Sequence, residues 1–177
     1  YSTGGFDSMI NFALNGTQWS GSGSSGSVPT TSTWESYSSL INANPSDSDN
    51  NGNNNNMLTY VSSHDTGLCR PSDNKNLGTM LCLLPGGVQI FYGDETSRPA
   101  VSNYYGDSDM ATRGDMNWNY DSDTYDHWCK VGTFRKNHPA VGAGVQTAMG
   151  DNTYARTYSG SAGDDTVVIK LGTGSVN

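Results

Sequence analysis

The sequence predicts an α/β fold in which parallel strands alternate with helices and then give way to antiparallel strands. Three observations carry this. Apolar, strand-like runs occur at 6–12, 57–62 and 88–92. A stretch with helical spacing of apolar residues follows each of them. Beyond Pro139 only short strand-like runs remain, split by Gly and Asp turns. Regular strand and helix alternation implies parallel strands joined by right-handed helical crossovers. Three such units cannot close a barrel or cover a sheet by themselves.

Taken in order, "FDSMINF" places Met9, Ile10 and Phe12 between Gly4-Gly5 and Asn15-Gly16 and reads as a buried strand. Residues 16–33 are dominated by Ser, Gly and Thr, a composition that buries too little apolar surface to order itself. Trp34, Tyr37, Leu40 and Ile41 then share one helical face that ends at Pro45. "SDSDNNGNNNN" at 46–56 is a polar connection. The strand at 57–62 follows, and after a polar turn Leu77, Met80, Leu81 and Leu84 recur at helical spacing, with an Asp at the N-cap and Gly86 past the end. The run at 88–92 is nearly continuous in apolar residues, as expected of a strand covered on both faces. A Gly- and Asp-rich loop leads from 93 to about 123. A helix over 124–138 then aligns Trp128, Val131 and Phe134 and is stopped by Pro139. "VGAGVQTAM", "TYARTY" and "TVVIKLG" read as antiparallel strands.

Composition narrows the function classes. With 17 acidic and 9 basic residues the 177-residue chain carries a net charge of -8, and its cations are scattered rather than striped. Nucleic acid and anionic membranes are poor partners for such a surface. A neutral polar ligand such as a carbohydrate meets no such objection. No apolar run approaches the ~20 residues of a membrane-spanning helix, so a soluble chain is expected. The chain opens at Tyr1 with no signal-like segment, and the expectation is that it starts inside a longer protein. Cys69, Cys82 and Cys129 have no metal-ligand spacing; one disulfide plus a spare thiol, and three reduced thiols, are equally compatible with them. Asn15-Gly16-Thr17 fits the N-glycosylation pattern, a three-residue match of little weight.

In parallel α/β folds the ligand-contacting groups come from loops at the carboxyl ends of the strands. By that rule the functional loops are 13–33, 63–73 and 93–123, and the Asn-rich run faces the opposite end. His64 and Asp65 therefore fall on the functional side, directly after a strand. A carboxylate there can serve as a base, a metal ligand or a stabiliser of positive charge. Taken alone, the pair is more simply a turn cap and a backbone-bonded histidine.

The pair has company. "YVSSHDTGLCRP", then "LGTMLCLLPGGVQIFYGDETSRP", then "ATRGDMNW" resemble the end of the catalytic barrel of the α-amylase family of glycoside hydrolases, in particular bacterial periplasmic-type α-amylases. "GGFDSMINF" resembles that family's sixth barrel strand, and "FRKNHPAVGAG" its exit into a small C-terminal β domain. The resemblance covers nearly the whole chain apart from the low-complexity loops. It implies an α/β chain in which 1–140 is the C-terminal part, strands six to eight, of a (β/α)8 barrel. Residues 141–177 then begin a truncated antiparallel β-sandwich domain.

The resemblance also assigns roles. Asp65 matches the third catalytic carboxylate, the one that stabilises the oxocarbenium-like transition state. His64 matches a histidine that hydrogen-bonds the sugar at the cleavage subsite. Asp109 and Arg113 resemble a pair that grips a sugar further along, although an ordinary loop salt bridge explains Arg113 nearly as well. Glu95 matches a motif that is mainly architectural. Tyr92 and Trp118 offer stacking faces for sugar rings, but core packing is the first reading of each.

Retaining hydrolysis needs a nucleophile and an acid about 5–5.5 Å apart, and the resemblance puts both on strands four and five, before Tyr1. The implied activity is endo-hydrolysis of α-1,4-glucosidic bonds in starch, glycogen or maltooligosaccharides by a monomeric, extracellular or periplasmic parent, with this segment alone inactive. The same motifs also fit a cyclomaltodextrinase, a maltogenic enzyme, a transglycosylase or a non-catalytic amylase-like scaffold. Calcium is common in the family through residues ahead of strand six. The acidic cluster Asp107, Asp109 and Asp115 matches no calcium loop, so no metal or cofactor is expected within the segment.

Overall fold

The computed structural model describes residues 9–10, 34–35, 57–65, 67–69, 72, 74–101 and 108–172. Strands β1 (Met9–Ile10), β2 (Met57–Tyr60) and β3 (Gly87–Gln89) form one sheet in the order β1-β2-β3. Both pairings are parallel, Met9 opposite Met57 and Thr59 opposite Val88. Helix α1 (Asn74–Cys82) lies between β2 and β3 in the chain, the expected crossover. Of the helix expected after the first loop, Trp34 and Glu35 are helical and the remainder lies outside the described residues.

Helix α2 (Ser122–Asn137) begins at Asp121, whose carboxylate accepts the Asp123 N–H. It packs on α1 at a close approach. Gly78 of α1 sits under the ring of Trp128, and the indole N–H of Trp128 donates to the Asn74 side chain. Arg135, on the last turn of α2, reaches back to the carboxyl end of α1. It donates to the carbonyls of Cys82 (2.7 Å), Leu84 (2.6 Å) and Gly86. The Cys82 carbonyl is one a helix end leaves unpaired, and the other two belong to the turn that follows. Burial pushes its guanidinium below the usual arginine range.

A second sheet holds β4 (Val145–Gly150), β5 (Thr153–Gly160) and β6 (Gly163–Lys170), all antiparallel. Asp151 and Asn152 join β4 to β5 with φ of 51° and 53°, the backbone of a two-residue type I′ hairpin that Asp and Asn tolerate. One apolar core runs through both sheets, from Val61, Leu81 and Leu84 through Trp128 and Val141 to Tyr154, Val167 and Ile169. Trp34 is fully buried in it against Tyr154. Arg156 is fully buried beside Trp34, donating to the Val141 carbonyl and the Gln146 side chain. Desolvation lowers its guanidinium to about 9. Among the described residues no helix is long and apolar enough to cross a membrane.

Four expectations need correction. Residues 141–143, read as the start of a strand, lie instead in helix α3 (Pro139–Ala143). Proline suits the first helical position, where its missing N–H is not needed. The next free donor, the Ala140 N–H, is accepted by Asp165 of β6 at 3.0 Å. The strand starts only at Val145, and the expected domain boundary at 140/141 falls inside this helix. The third strand is three residues long rather than five, and it is not covered on both faces. Its residues are only partly buried, and Ile90 and Tyr92, past its end, are 47% and 42% exposed. Ile10 of β1 is likewise 44% exposed rather than buried. In α2, Trp128 is buried as expected, but Phe134 is 41% exposed and leans on the His138 ring.

Candidate active site

The site grows from the carboxyl end of β2. Ser62 and Ser63 are buried, and the chain then turns outward at His64 and Asp65. The Ser63 hydroxyl accepts the Asp65 N–H at 3.2 Å, and the Ser63 N–H bonds to the Gly67 carbonyl, closing a tight turn. The Ser62 hydroxyl accepts the Cys69 N–H at 2.8 Å and ties down the far end of the same turn.

The opposing wall comes from the segment after β3. Gly93 has φ of 92°, and a Cβ there would lie 2.4 Å from the Arg98 Cβ, so the turn needs glycine. Buried Arg98 donates to the carbonyls of Tyr92, Thr112 (2.8 Å) and Gly114 (3.1 Å). Its guanidinium also lies 4.1 Å over the Tyr92 ring. This clamp holds the 3-10 helix Ser108–Arg113, unexpected within a stretch read as loop, against the β2 turn. Thr112 donates its hydroxyl to the His64 carbonyl.

Arg113 thereby meets Asp65, its Nη2 lying 2.8 Å from Oδ1. His64 Nε2 lies 3.1 Å from Oδ2. Each oxygen of this carboxylate therefore faces a nitrogen from a different direction, while the side chain stays 66% exposed. A carboxylate held in that way is oriented and open to a ligand. Three of the four residues expected to form the site come together here. The fourth, Asp109, sits in the same 3-10 helix as Arg113, and its side chain lies outside the described residues.

Sequence reasoning overlooked Arg98, Thr112 and Asp94. Asp94 is 3% exposed, one position from the Glu95 that drew attention. Its carboxylate accepts the Phe91 N–H at 3.0 Å and the Ser62 hydroxyl, and burial pushes its pKa up to about 7. Glu95 accepts the Gly93 N–H at 3.0 Å within the turn. The core reading of Tyr92 and Trp118 is corrected. Tyr92 lies against Arg98 with its hydroxyl on the Gly114 carbonyl, and Trp118 is 82% exposed beside Asn117, which is fastened to Thr96 by two bonds. Cys69, Cys82 and Cys129 form no disulfide with one another. Among the described residues no group of three His, Cys, Asp or Glu side chains is arranged to hold a metal ion.

No protein-family model matches the chain. A cyclic α-maltosyl-(1→6)-maltose hydrolase from Arthrobacter globiformis, solved in complex with maltose, superposes with a TM-score of 0.60 over 94% of this chain and 37% of its own, at 23% identity. That likeness shows a fold shared with part of a TIM-barrel enzyme. The periplasmic alpha-amylase of Escherichia coli (strain K12) is 48% identical over 98 residues, an alignment covering 53% of this chain and 14% of that protein. The likeness to the α-amylase family of glycoside hydrolases that the motifs carry is thus borne out.

Proposed function

We propose that the protein carrying this chain is an α-amylase-type glycoside hydrolase that cleaves internal α-1,4-glucosidic bonds of starch- or glycogen-like glucans with retention. In that reading β1, β2 and β3 are barrel strands six, seven and eight, and the antiparallel strands from Val145 onward begin a β-sandwich domain. The observation that carries the proposal is the placement of Asp65, open to a ligand at the carboxyl end of a parallel strand and held between His64 and Arg113. The likeness to a periplasmic alpha-amylase supports the same reading and a periplasmic or extracellular location.

Positive charge develops on the anomeric carbon and ring oxygen of an oxocarbenium-like transition state. A carboxylate fixed nearby stabilises that charge more than it stabilises the neutral ground state, which is what accelerates a reaction. Asp65 takes this role. Its two flanking nitrogens fix its orientation before substrate arrives, and His64 can donate a hydrogen bond to a sugar hydroxyl. Arg113 and Asp109 grip a sugar further along the chain. The nucleophile and the acid, which must stand about 5–5.5 Å apart, come from chain outside these residues, so the 177 residues alone do not turn over starch. No metal or cofactor is assigned to this segment, while calcium elsewhere in the protein fits the family. A monomer acting on α-glucan suffices.

The test is hydrolysis of soluble starch and of cyclomaltodextrin by the full-length protein, with the anomer of the first product read by NMR. Fast release of α-anomers from starch supports the proposal. Preference for the cyclic substrate moves the assignment to a cyclomaltodextrinase, and transfer products move it to a transglycosylase. Glucan binding without turnover leaves the amylase-like scaffold.

A further inference from the structure

We propose that Asp94 is a positioning residue that sets the order of the turn bearing His64 and Asp65, through a line of hydrogen bonds running from Asp94 to the Ser62 hydroxyl and on to the Cys69 N–H. The line links three segments. Asp94 belongs to the turn after β3, where its Oδ2 accepts the Phe91 N–H. Ser62 lies two residues past β2 and donates to Asp94. Cys69, at the far end of the 64–65 turn, donates its N–H to Ser62. All three residues are buried, at 3%, 0% and 4% exposure, so water does not replace a lost partner. The Asn74 side chain of α1 also donates to the Asp94 carbonyl and fixes the backbone from which the carboxyl projects.

Counting hydrogens gives the line its direction. The Ser62 hydroxyl has one hydrogen to donate, and it accepts from Cys69. An ionised Asp94 accepts from both Ser62 and Phe91, and every hydrogen finds an acceptor. A protonated Asp94 brings a second hydrogen onto the single contact with Ser62, and one of the two must then go unpaired in a buried site. The line is therefore complete only with the carboxylate ionised. The charged groups acting on it are Glu95, which disfavours ionisation, and Arg98, which favours it; the groups that β2 and α1 present, Ser62 and Asn74, are neutral. Desolvation opposes ionisation more strongly than all of these and brings the transition to about 7. The 64–65 turn should thus tighten as the pH rises through neutrality.

This deepens the proposed function, since the turn bears Asp65, but hydrogen exchange tests it without any turnover. In the full-length protein, protection factors for a peptide spanning residues 63–69, corrected for intrinsic exchange, are measured from pH 6 to 8 alongside a control peptide from β5 and β6. The expected result is protection that rises roughly tenfold across neutrality at 63–69, the scale of one buried unpaired hydrogen, and does not rise in the control. Asp94→Asn, which carries the surplus hydrogens permanently, should give weak protection at 63–69 with no pH step. Ser62→Ala should do the same while leaving the control peptide protected. Native-like protection with the pH step intact in either variant would overturn the proposal, as would loss of protection in both peptides together. If the exchange result holds and starch is not cleaved, the enzyme assignment fails and the relay stands.

Discussion

Helix α1 carries a glycine in its interior, and replacing it tests how the two helices behind the site are packed. On propensity alone Gly78→Ala should stabilise the helix by ~1 kcal/mol. The structure reverses that sign. A Cβ at Gly78 would lie 2.6 Å from two atoms of the Trp128 ring, against an ordinary contact of about 3.5–4.0 Å. Trp128 is 3% exposed and pinned by its indole N–H to Asn74, so the ring cannot swing away without leaving a buried donor and acceptor unpaired. Overpacking of this kind costs about 1–3 kcal/mol, and a lost buried hydrogen bond costs on the same scale. The expected net effect is a loss of about 1–3 kcal/mol. Gly132 in α2 is the control, because a Cβ there meets nothing within 4 Å. Gly132→Ala should therefore gain up to ~1 kcal/mol. Urea unfolding followed by far-UV circular dichroism measures both variants. Equal midpoints, or a Gly78→Ala protein more stable than the parent, would refute the packing argument.

Three further outcomes follow from the same geometry. Arg135→Met should lower the urea midpoint by the equivalent of about 2–4 kcal/mol, because three carbonyls at the end of α1 lose a charged donor; a loss below ~0.5 kcal/mol would show that water caps that end equally well. Asp94 makes stability fall as pH rises. Its folded pKa of about 7 lies above the ordinary 3.8, so its favourable contribution is complete below about 4 and is lost as pH passes 7. The swing is up to ~4 kcal/mol, and Asp94→Asn should remove that slope from a series of melts between pH 4 and 8. Asp165 acts in the opposite sense. The Ala140 N–H, then His138, hold its carboxyl below the ordinary 3.8, so its contribution is present at neutral pH and fades as pH falls through the folded value. Asp165→Asn should lower the melting temperature at pH 7, and the gap to the parent should close on acidification.

The alternation of strands and helices, the parallel sheet and the antiparallel tail could all be read from apolar spacing. These features rest on local periodicity. What escaped the reading depended on distant partners. Residues 141–143 belong to a run read as strand, yet they continue a short helix that Pro139 opens and whose Ala140 N–H is accepted by the Asp165 carboxylate, 25 residues on. Val88, Ile90 and Tyr92 read as a doubly covered strand, yet coverage is a property of neighbouring elements: Val88 packs against the core, while Ile90 and Tyr92, past the end of β3, stay exposed. At the site, His64 and Asp65 stood out because a strand end and a motif coincide there, and Arg113 because it lies near an Asp in a motif. Asp94 carries no such mark. Its character comes from burial and from Ser62, which is 32 positions away in the chain. Arg98 is overlooked for the same reason, since its partners are the carbonyls of Tyr92, Thr112 and Gly114.

The central claim is that Asp65 stabilises charge in the transition state rather than binding glucan or supporting the fold. It is tested most directly by Asp65→Asn in the full-length protein, with kcat and KM on soluble starch measured beside the urea midpoint. The account predicts that kcat falls by about 10²–10³-fold or more while KM and the midpoint stay within a small factor of the parent values. Unchanged kcat, or a loss confined to KM, would contradict it.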